Sequence, residues 1–404
     1  MKLCMTLEHV DFPPDLRVEN EARSLIDGGH EVTIVCDNHT GRPETEEYQG
    51  IRVIRRVPPA RPMRKAISLF YLLSNLHYSW YRALLSLHQT FPFSALHIHD
   101  LPLAYTGLRV GHHLDLPVVL DLHENYPVVV STFISANATR PERIWHGLIN
   151  RRSRWSRLER SAVRQASRVI VVSPEAKSRI ESLGVPAACI VVVQNTLNIP
   201  HFAAFPVDQS LISRYAERFT ISYVGGLGAH RGIDLLLETM VHLIRKLPNA
   251  HLVLVGDHTQ YPEIEATIYR LRLNTHVTVV GWQPFSMVPT YMALADVAVL
   301  PHRCDEHNNQ TIPHKLFQYM FLQKPVVVSD CPPMKRIVEE SNCGLVCPWQ
   351  ATPEVWAQTI ASLADTELRR KLGYNGQQAV ISKYNWTVDS GLLLEMYHSL
   401  LGEC

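Results

Sequence analysis

A glycine-rich stretch over residues 223–232 carries the first chemistry that the sequence suggests. An apolar run leads into Gly225 and Gly226, and a helical pattern begins near Ile233. Glycines let the backbone approach a phosphate closely, and a helix N-terminus adds N–H donors and partial positive charge. Arg231 adds a permanent positive charge. The stretch therefore predicts a diphosphate site; the alternative is a tight strand-to-helix turn without a ligand.

A second group of polar and charged residues lies over 309–320, directly before a buried strand pattern. Lys315 and Gln318 are three positions apart, so they share one face of the predicted helix. Gln310 and Thr311 are expected at the N-terminus of that helix, where anions are favoured. We predict that these four residues bind the same ligand as the glycine-rich stretch. The alternative is a core helix that binds nothing.

His123 follows an apolar strand pattern and lies between Asp121 and Glu124. Ligands of parallel α/β sheets bind at the carboxyl ends of the strands, which is where this run ends. An imidazole there can orient a substrate or relay a proton, and Asp121 and Glu124 can orient the imidazole. The alternative is that His123 is one of 21 histidines, most of which take no part in chemistry.

Two successive sets of alternating strand and helix patterns position these residues. Strand patterns at 2–7 and 31–36 enclose a helical pattern at 17–27, which is one βαβ unit of a parallel sheet. The expected fold is α/β, with two Rossmann-like doubly wound domains facing a central cleft. The domains are expected at 1–200 and 201–385, followed by a C-terminal helix over 386–404 that can return to the N-terminal domain.

Charge is unevenly distributed along the chain. The formal net charge is +1, yet residues 51–168 contain 17 Lys/Arg and 6 Asp/Glu, and Trp145 and Trp155 lie among the arginines of 140–168. Basic and aromatic residues together favour binding to an anionic membrane surface, where each Lys or Arg contributes about 1 kcal/mol to the free energy of binding. The alternative is a solvated, arginine-rich helix that covers a core. No nucleic-acid reader motif accompanies the charge, so no nucleic acid partner is expected.

The remaining composition is typical of a globular cytoplasmic protein. Hydrophobic residues make up 46% of the chain. The eight cysteines form no C-x-x-C pair, which favours reduced, buried thiols over a zinc or disulfide framework. There is no signal-peptide pattern and no apolar run of about 18 residues. We expect a cytoplasmic protein that can bind peripherally to the inner face of the membrane.

Together these motifs resemble the GT-B-fold, family-4-like retaining glycosyltransferases (glycosyltransferase group 1). Residues 312–320 read Ile-Pro-His-Lys-Leu-Phe-Gln-Tyr-Met, similar to a Pro-x-Lys-Leu-Phe-Glu-Tyr-Met helix of the family. Residues 121–127 read Asp-Leu-His-Glu-Asn-Tyr-Pro, similar to its Asp-x-His-Glu segment. The family has two glutamates eight positions apart; the first contacts the transferred sugar and the second contacts the donor ribose. Gln310 and Gln318 occupy those positions here, which implies an altered donor preference or weaker binding.

The resemblance implies a glycosyl or hexosyl transferase, of transferase class EC 2.4. It would move a sugar from a nucleotide diphosphate sugar to a saccharide or lipid-linked saccharide, with retention, in cell-surface polysaccharide synthesis. By this resemblance His123 contacts the transferred sugar or the acceptor, while Gly225, Gly226, Lys315 and Arg231 hold the diphosphate and Arg231 stabilises it as it leaves. No Asp-x-Asp pair follows a strand, so we expect no metal or other cofactor. Two alternatives stay open: a non-hydrolysing nucleotide-sugar epimerase and a non-catalytic homologue of the same fold.

Overall fold

The structure is a computed structural model and describes residues 1–8, 11–58, 61–130, 147, 149–257 and 261–401. The chain divides into two compact units. Unit 1 comprises Met1–Gln194 and Asp389–Cys404, and unit 2 comprises Asn195–Val388. Each unit contains a largely parallel sheet connected through helices, as the sequence predicts.

The sheet of unit 1 is built from β1 (Lys2–Leu7), β2 (Glu31–Asp37), β3 (Thr45–Tyr48), β4 (Ile51–Arg56), β5 (Ala95–His99), β6 (Val118–Leu122), β7 (Arg168–Val171) and β8 (Ile190–Val192). The strands lie in the order β3-β4-β2-β1-β5-β6-β7-β8, and β3 alone is antiparallel to its described neighbour. β5 and β6 are buried along their whole length, as expected for parallel strands covered on both faces. Their carboxyl ends are adjacent, because His99 pairs with Asp121.

The helices of unit 1 are α1 (Leu16–Asp27), α2 (Arg61–Ser74), α3 (Tyr78–Thr90), α4 (Ala104–Leu114), α5 (Tyr126–Val129), α6 (Arg152–Val163) and α7 (Pro174–Ser182). The carboxylate of Asp15 caps α1 by accepting a hydrogen bond from the N–H of Val18 at 3.1 Å. That cap fixes the first turn of α1, which carries Arg17 toward the end of β6.

The sheet of unit 2 is built from β9 (Phe219–Val224), β10 (Ala250–Val255), β11 (Val277–Gly281), β12 (Val297–Leu300), β13 (Val326–Ser329) and β14 (Gly344–Cys347). The order is β11-β10-β9-β12-β13-β14, and the pairs are parallel. Strand order reverses between β9 and β12. A ligand of such a sheet binds beyond the carboxyl ends of the strands at this reversal.

The helices of unit 2 are α8 (Ile199–Ala203), α9 (Gln209–Ser213), α10 (Ile233–Lys246), α11 (Tyr261–Arg270), α12 (Val288–Ala293), α13 (His314–Phe321), α14 (Pro332–Ser341), α15 (Pro353–Ser362) and α16 (Thr366–Ser382). The last helix, α17 (Trp386–Leu401), begins in unit 2 and continues in unit 1. Among the described residues, no helix has the length and apolar character needed to cross a membrane.

The expected position of Gln310 and Thr311 at the start of a helix is wrong. Helix α13 begins at His314, and both residues lie in the turns and coil that precede it. Asp305 organises this segment, since its carboxylate accepts from the N–H groups of His307 and Asn308 at 3.0 and 2.8 Å. Such Asp-centred turns are favoured by a local side chain-to-backbone bond, which competes with helix formation.

Candidate functional site

The glycine-rich stretch of unit 2 is a turn that requires glycine at its first position. Gly225 follows β9 with a φ of +125°, a conformation that side chains with a Cβ rarely adopt. A Cβ at Gly225 would also lie 2.6 Å from the Nζ of Lys315. Gly226 has open space where a Cβ would be. The absence of a side chain at Gly225 therefore allows the ammonium of Lys315 to lie against the turn.

Lys315 carries a buried ammonium that lacks a hydrogen-bond partner among the described residues. It extends from the first turn of α13 and lies over the ring of Tyr223, with 3.8 Å from Nζ to the ring centroid. Burial, followed by the charge of Arg231, holds the pKa of Lys315 well below its usual value. A buried cation with this little compensation is costly, and an anionic ligand would satisfy it.

Three histidines accompany the two cationic side chains. We call Lys315, Arg231, His230, His302 and His307 the cation cluster. Nδ1 of His302 lies 3.5 Å from a guanidinium nitrogen of Arg231, and its buried Nε2 has no hydrogen-bond partner among the described residues. Burial and then the neighbouring cations lower the pKa of all three histidines, that of His307 to about 4. Burial, with a smaller contribution from mutual repulsion, thus holds the cluster partly deprotonated, and a bound anion would favour its protonated form.

The two predicted glutamine positions have different surroundings. Gln318 lies within α13, one turn after Lys315, and is 5% exposed. Gln310 lies in the turn before the helix, where its N–H donates to the carbonyl of His307 at 3.0 Å. Thr311 donates its hydroxyl to the same carbonyl at 3.3 Å. The structure thus brings Gly225, Arg231 and Lys315 together, while the hydroxyl hydrogen of Thr311 is already used within its own turn.

His123 lies at the carboxyl end of β6 in unit 1, half-buried, with both ring nitrogens directed at carboxylates. Nε2 is 3.0 Å from Asp121 Oδ2, and Nδ1 is 3.5 Å from Asp100 Oδ2. Burial opposes the charged ring, but Asp100 and Asp121 outweigh it and raise the pKa of His123 to about 10. Glu124 follows in the loop before α5 and is half-buried; its carbonyl accepts from the N–H of Tyr126 at 2.9 Å. The ring is therefore an imidazolium at neutral pH.

Asp121 is the anionic centre beneath His123. Its two carboxylate oxygens accept from Arg17 at 2.9 and 3.2 Å, and Arg17 also contacts Glu21 at 2.9 Å. Despite burial, the charges of Arg17 and His123 hold the pKa of Asp121 well below its usual value. Burial raises the pKa of Glu21 well above its usual value, against the opposing charge of Arg17. Arg17 and His123 thus favour the ionised form of Asp121, burial favours the neutral form of Glu21, and Arg17 contacts both carboxyl groups.

Two residues of this site, His99 and Asp100, were missed by sequence reasoning. His99 Nδ1 lies 3.1 Å from His123 Nε2, and the N–H of His123 donates to Asp100 Oδ1 at 3.1 Å. Asp100 has a φ of +60°, which is uncommon for a non-glycine residue and directs the chain sharply at the end of β5. The signal was present as His97-x-His99-Asp100 at the end of a buried strand, but the sequence did not show that β5 and β6 are neighbours in the sheet.

Four donor atoms of Glu21, His97, His99 and Asp121 lie within 4.8 Å of one another, so the residue types could hold a metal ion. Arg17 already contacts both carboxyl groups, and His123 contacts Asp121. These two cations compensate the ionised carboxylate in place of a metal. We therefore interpret the group as an ion-pair and hydrogen-bond network, which also includes the hydroxyl of Tyr397 at 2.7 Å from His97 Nδ1.

The aromatic part of the predicted membrane surface is only partly exposed. Trp155 is 3% exposed, so its expected place at a membrane surface is wrong. Its ring packs against Tyr71 and Tyr126, and its indole N–H donates to the carbonyl of Ile149 at 2.9 Å. The apolar pattern of α6 thus covers a core. Trp145 and the other residues of 131–146 lie outside the described residues.

The chain is similar to known glycosyltransferases. The family described as "Glycosyl transferase 4-like domain" matches residues 14–196, and "Glycosyl transferases group 1" matches residues 218–366. Between them the two matches cover most of the chain. Alpha-D-kanosaminyltransferase of Streptomyces kanamyceticus is 24% identical over 302 residues, which is 74% of this chain and 74% of that protein.

Solved structures share the whole fold. Sucrose-phosphate synthase of Thermosynechococcus elongatus matches with a TM-score of 0.79 at 18% identity, covering 100% of both chains. HepE of Anabaena, solved in complex with UDP-glucose, matches with a TM-score of 0.67 at 15% identity, covering 99% of this chain and 100% of that one. The likeness confirms the prediction of two parallel-sheet α/β domains of the GT-B type.

Proposed function

Because the chain belongs to the GT-B-fold, family-4-like glycosyltransferases (group 1), we propose that its donor is a nucleoside diphosphate sugar bound in unit 2. The sugar passes to a hydroxyl of a saccharide or lipid-linked saccharide, with retention at the anomeric carbon. The proposed role is cell-surface polysaccharide synthesis. HepE, which shares the fold, was solved with UDP-glucose, and this supports a nucleotide sugar as the donor.

The observation that carries the proposal is the uncompensated charge of Lys315. Its buried Nζ lies against Gly225, a glycine whose φ and close contact exclude a side chain. Arg231 lies on the 3-10 turn Ala229–Arg231, directly before α10. An anion between Lys315, Arg231 and the N-terminus of α10 would meet the charge of Arg231 and the N–H donors of the helix, and would favour the protonated form of Lys315. A diphosphate supplies that anion.

The same groups provide the electrostatic part of the reaction. When the bond between the anomeric carbon and the diphosphate oxygen breaks, the electron pair stays on the diphosphate. Lys315 and Arg231 stabilise this developing charge without rearrangement, since their positions are already fixed. Side-chain cations thus do what Mg²⁺ does in many phosphate sites, and we propose a reaction that needs no metal or other cofactor.

For unit 1 we propose that His123 contacts the transferred sugar or the acceptor as a fixed imidazolium. Its two N–H groups face Asp121 and Asp100, and its pKa is raised to about 10, so it cannot accept a proton at neutral pH. An imidazolium at this position stabilises negative charge and orients hydroxyl groups through the adjacent carboxylate of Asp100. Glu124 and Asp121 are proposed as orienting residues.

A candidate membrane surface lies on α2 and the start of α6. Leu73 is 77% exposed and Phe70 is 45% exposed. Leu73 lines one surface groove together with Arg151 and Arg157. Exposed apolar side chains beside arginines are the composition of surfaces that bind anionic membranes. We propose that the protein is cytoplasmic and binds the inner face of the membrane peripherally through this surface.

Flotation with liposomes tests the membrane proposal. Liposomes that contain anionic lipid should retain the protein at low salt and release it at high salt. Replacement of both Arg151 and Arg157 by Gln should abolish retention, whereas the matched change Arg370→Gln on the exposed surface of unit 2 should not. The proposal would be contradicted if neutral liposomes retained the wild-type protein equally well, or if anionic liposomes retained the double variant equally well.

The proposed reaction is tested by donor screening followed by product analysis. Thermal shift against UDP-, GDP-, dTDP- and ADP-sugars should identify a donor that stabilises the protein by mass action. With that donor and a saccharide acceptor, NMR of the product should show the anomeric configuration of the donor. Inversion would contradict the retaining mechanism, and release of an epimerised nucleotide sugar without acceptor would favour the epimerase alternative.

A further inference from the structure

Two cysteines meet at the carboxyl ends of neighbouring strands in unit 2. Cys304 follows β12, and Cys331 follows β13 directly before α14. Their Sγ atoms are 3.0 Å apart. This separation is about 1 Å longer than the ~2.05 Å of a disulfide bond. The two sulfurs are therefore close enough to bond with a small movement of side chains.

The surroundings give the two thiols different properties. Cys331 is fully buried, whereas Cys304 is half-buried. Cys304 Sγ lies 3.2 Å from Asp330 Oδ1, and Cys331 Sγ lies 3.3 Å from the hydroxyl oxygen of Ser329. The thiol of Cys331 also faces the carbonyls of His302 and Arg303, each at 3.6 Å.

We propose that Cys304 and Cys331 form a reversible disulfide by exchange with a small-molecule disulfide, for which oxidised glutathione is the probe. The pair lies at the end of the segment that carries His302, but its chemistry does not depend on the proposed transferase function.

The exchange proceeds in two balanced steps. The Cys304 thiol, which solvent can reach, loses its proton and its sulfur attacks oxidised glutathione; one glutathione leaves and a mixed disulfide remains on Cys304. The sulfur of Cys331 then attacks Cys304 Sγ, which breaks the mixed disulfide and releases the second glutathione. Two protein thiols are oxidised, and one external disulfide is reduced to two thiols.

Solvent access assigns these roles, and the electrostatics of the pair set the relative rates of the two steps. The hydrogen bond from Cys304, with a smaller contribution from Ser329, lowers the pKa of the Cys331 thiol despite burial. The same hydrogen bond, burial and the nearby Asp330 raise the pKa of Cys304. Attack by Cys304 is therefore the slow step, and resolution by Cys331 is fast. A mixed disulfide on Cys304 should not accumulate in the wild-type protein.

The test equilibrates the full-length protein in glutathione buffers of increasing oxidised fraction. Free thiols are then alkylated, and the peptides are analysed by mass spectrometry. We expect a Cys304–Cys331 cross-linked peptide that disappears after reduction. In Cys331→Ser, Cys304 should instead retain glutathione. In Cys304→Ser, the buried Cys331 should remain a free thiol in every buffer, so that it is fully alkylated once the protein is unfolded. Cys189, which is also half-buried, serves as an internal comparison and should form only a mixed disulfide.

Two results would overturn the proposal. One is that both cysteines of the wild-type protein remain reduced even in the most oxidising buffer. The other is that glutathione stays on Cys304 in the wild type to the same extent as in Cys331→Ser. Circular dichroism of both serine variants checks that loss of the cross-link does not reflect loss of the fold.

Discussion

The ammonium of Lys315 lies 3.8 Å from the centroid of the Tyr223 ring and has no hydrogen-bond partner among the described residues. A cation–π contact compensates part of the cost of burial, typically about 0.5–2 kcal/mol, but it satisfies none of the three N–H donors. The fold thus buries an amino group whose protonated form it disfavours and whose hydrogen-bond donors it leaves unsatisfied. Function explains this arrangement better than stability does, because an anionic donor would supply the missing partner.

Replacing Lys315 by Met should separate stability from binding. The variant keeps the volume of the side chain and removes a buried amino group that has no hydrogen-bond partner among the described residues, so the free energy of unfolding of the ligand-free protein should rise by ~1 kcal/mol. Nucleotide-sugar affinity should fall at least tenfold, which is ~1.4 kcal/mol. Urea unfolding and calorimetry measure the two effects. Lys246→Met, on the exposed end of α10, is the matched control and should change neither value. A less stable Lys315→Met variant that still binds donor would contradict this account.

Gly225→Ala should weaken donor binding by a steric route. The φ of +125° disfavours any residue with a Cβ. A Cβ at this position would also lie only 2.6 Å from Nζ of Lys315, so the ammonium would have to move away. We expect a cost of about 1–2 kcal/mol in stability and a tenfold or larger loss of donor affinity. Gly391→Ala is the control, since a Cβ there meets no atom within 4 Å and the residue lies in α17. Calorimetric titration that finds equal affinity in Gly225→Ala and wild type would show that Lys315 is not positioned by this glycine.

Donor binding should take up protons. In the free protein the pKa values of His230, His302, His307 and Lys315 are all lowered, so these groups bind fewer protons than usual. The diphosphate raises these pKa values, and linkage then requires tighter binding as the pH falls from about 8 to about 5. Calorimetry in buffers of different ionisation enthalpy gives the number of protons taken up on binding. A nucleotide sugar is the probe because its diphosphate does not titrate in this pH range.

His302→Gln should reduce the proton uptake, since it removes the most buried histidine of the cation cluster. His242→Gln, on α10, serves as the control and should leave the uptake unchanged. Binding that releases protons, or whose heat is the same in every buffer, would contradict the electrostatic description of this site.

The charge of His123 should stabilise unit 1 in a defined pH range. Its pKa is raised from 6.5 to about 10 by Asp100 and Asp121, against burial. Its contribution is therefore fully present below about pH 6.5 and is lost as the pH rises through about 10. His123→Gln keeps hydrogen-bonding groups but no charge, and should cost ~2 kcal/mol of unfolding free energy at about pH 6. The difference from wild type should vanish above about pH 10. A difference that is independent of pH would show that His123 is neutral.

The local features of the site were predictable from the sequence, whereas its long-range contacts were not. The turn at Gly225 and the helix that begins at Ile233 follow from adjacent residues, so their positions were predicted correctly. The contact of Gly225 with Lys315 joins residues far apart in sequence. It depends on β9 lying beside β12, an order that no local pattern encodes.

In unit 1, too, the local features were predictable, whereas the contacts that decide the charge of each residue were not. Asp121 and His123 were recognised because they lie at the carboxyl end of a strand, but His99 and Asp100 lie at the end of a different strand whose register with β6 was unknown. Whether Glu21 or Asp121 carries the charge depends on burial and on the distance to Arg17, which the sequence does not contain. Trp155 was assigned to a surface because an aromatic residue among arginines fits both a membrane and a core, and only packing separates the two.

We propose above all that the cation cluster of unit 2 binds the diphosphate of a nucleotide sugar. The most direct measurement is calorimetric titration of wild type, Arg231→Ala and the exposed control Arg245→Ala with UDP-, GDP-, dTDP- and ADP-sugars. We predict that the wild type binds at least one of these donors, that Arg231→Ala binds it at least tenfold more weakly with its fold intact, and that Arg245→Ala matches wild type. Binding of none of the four by wild type, or equal affinity in Arg231→Ala, would contradict the claim.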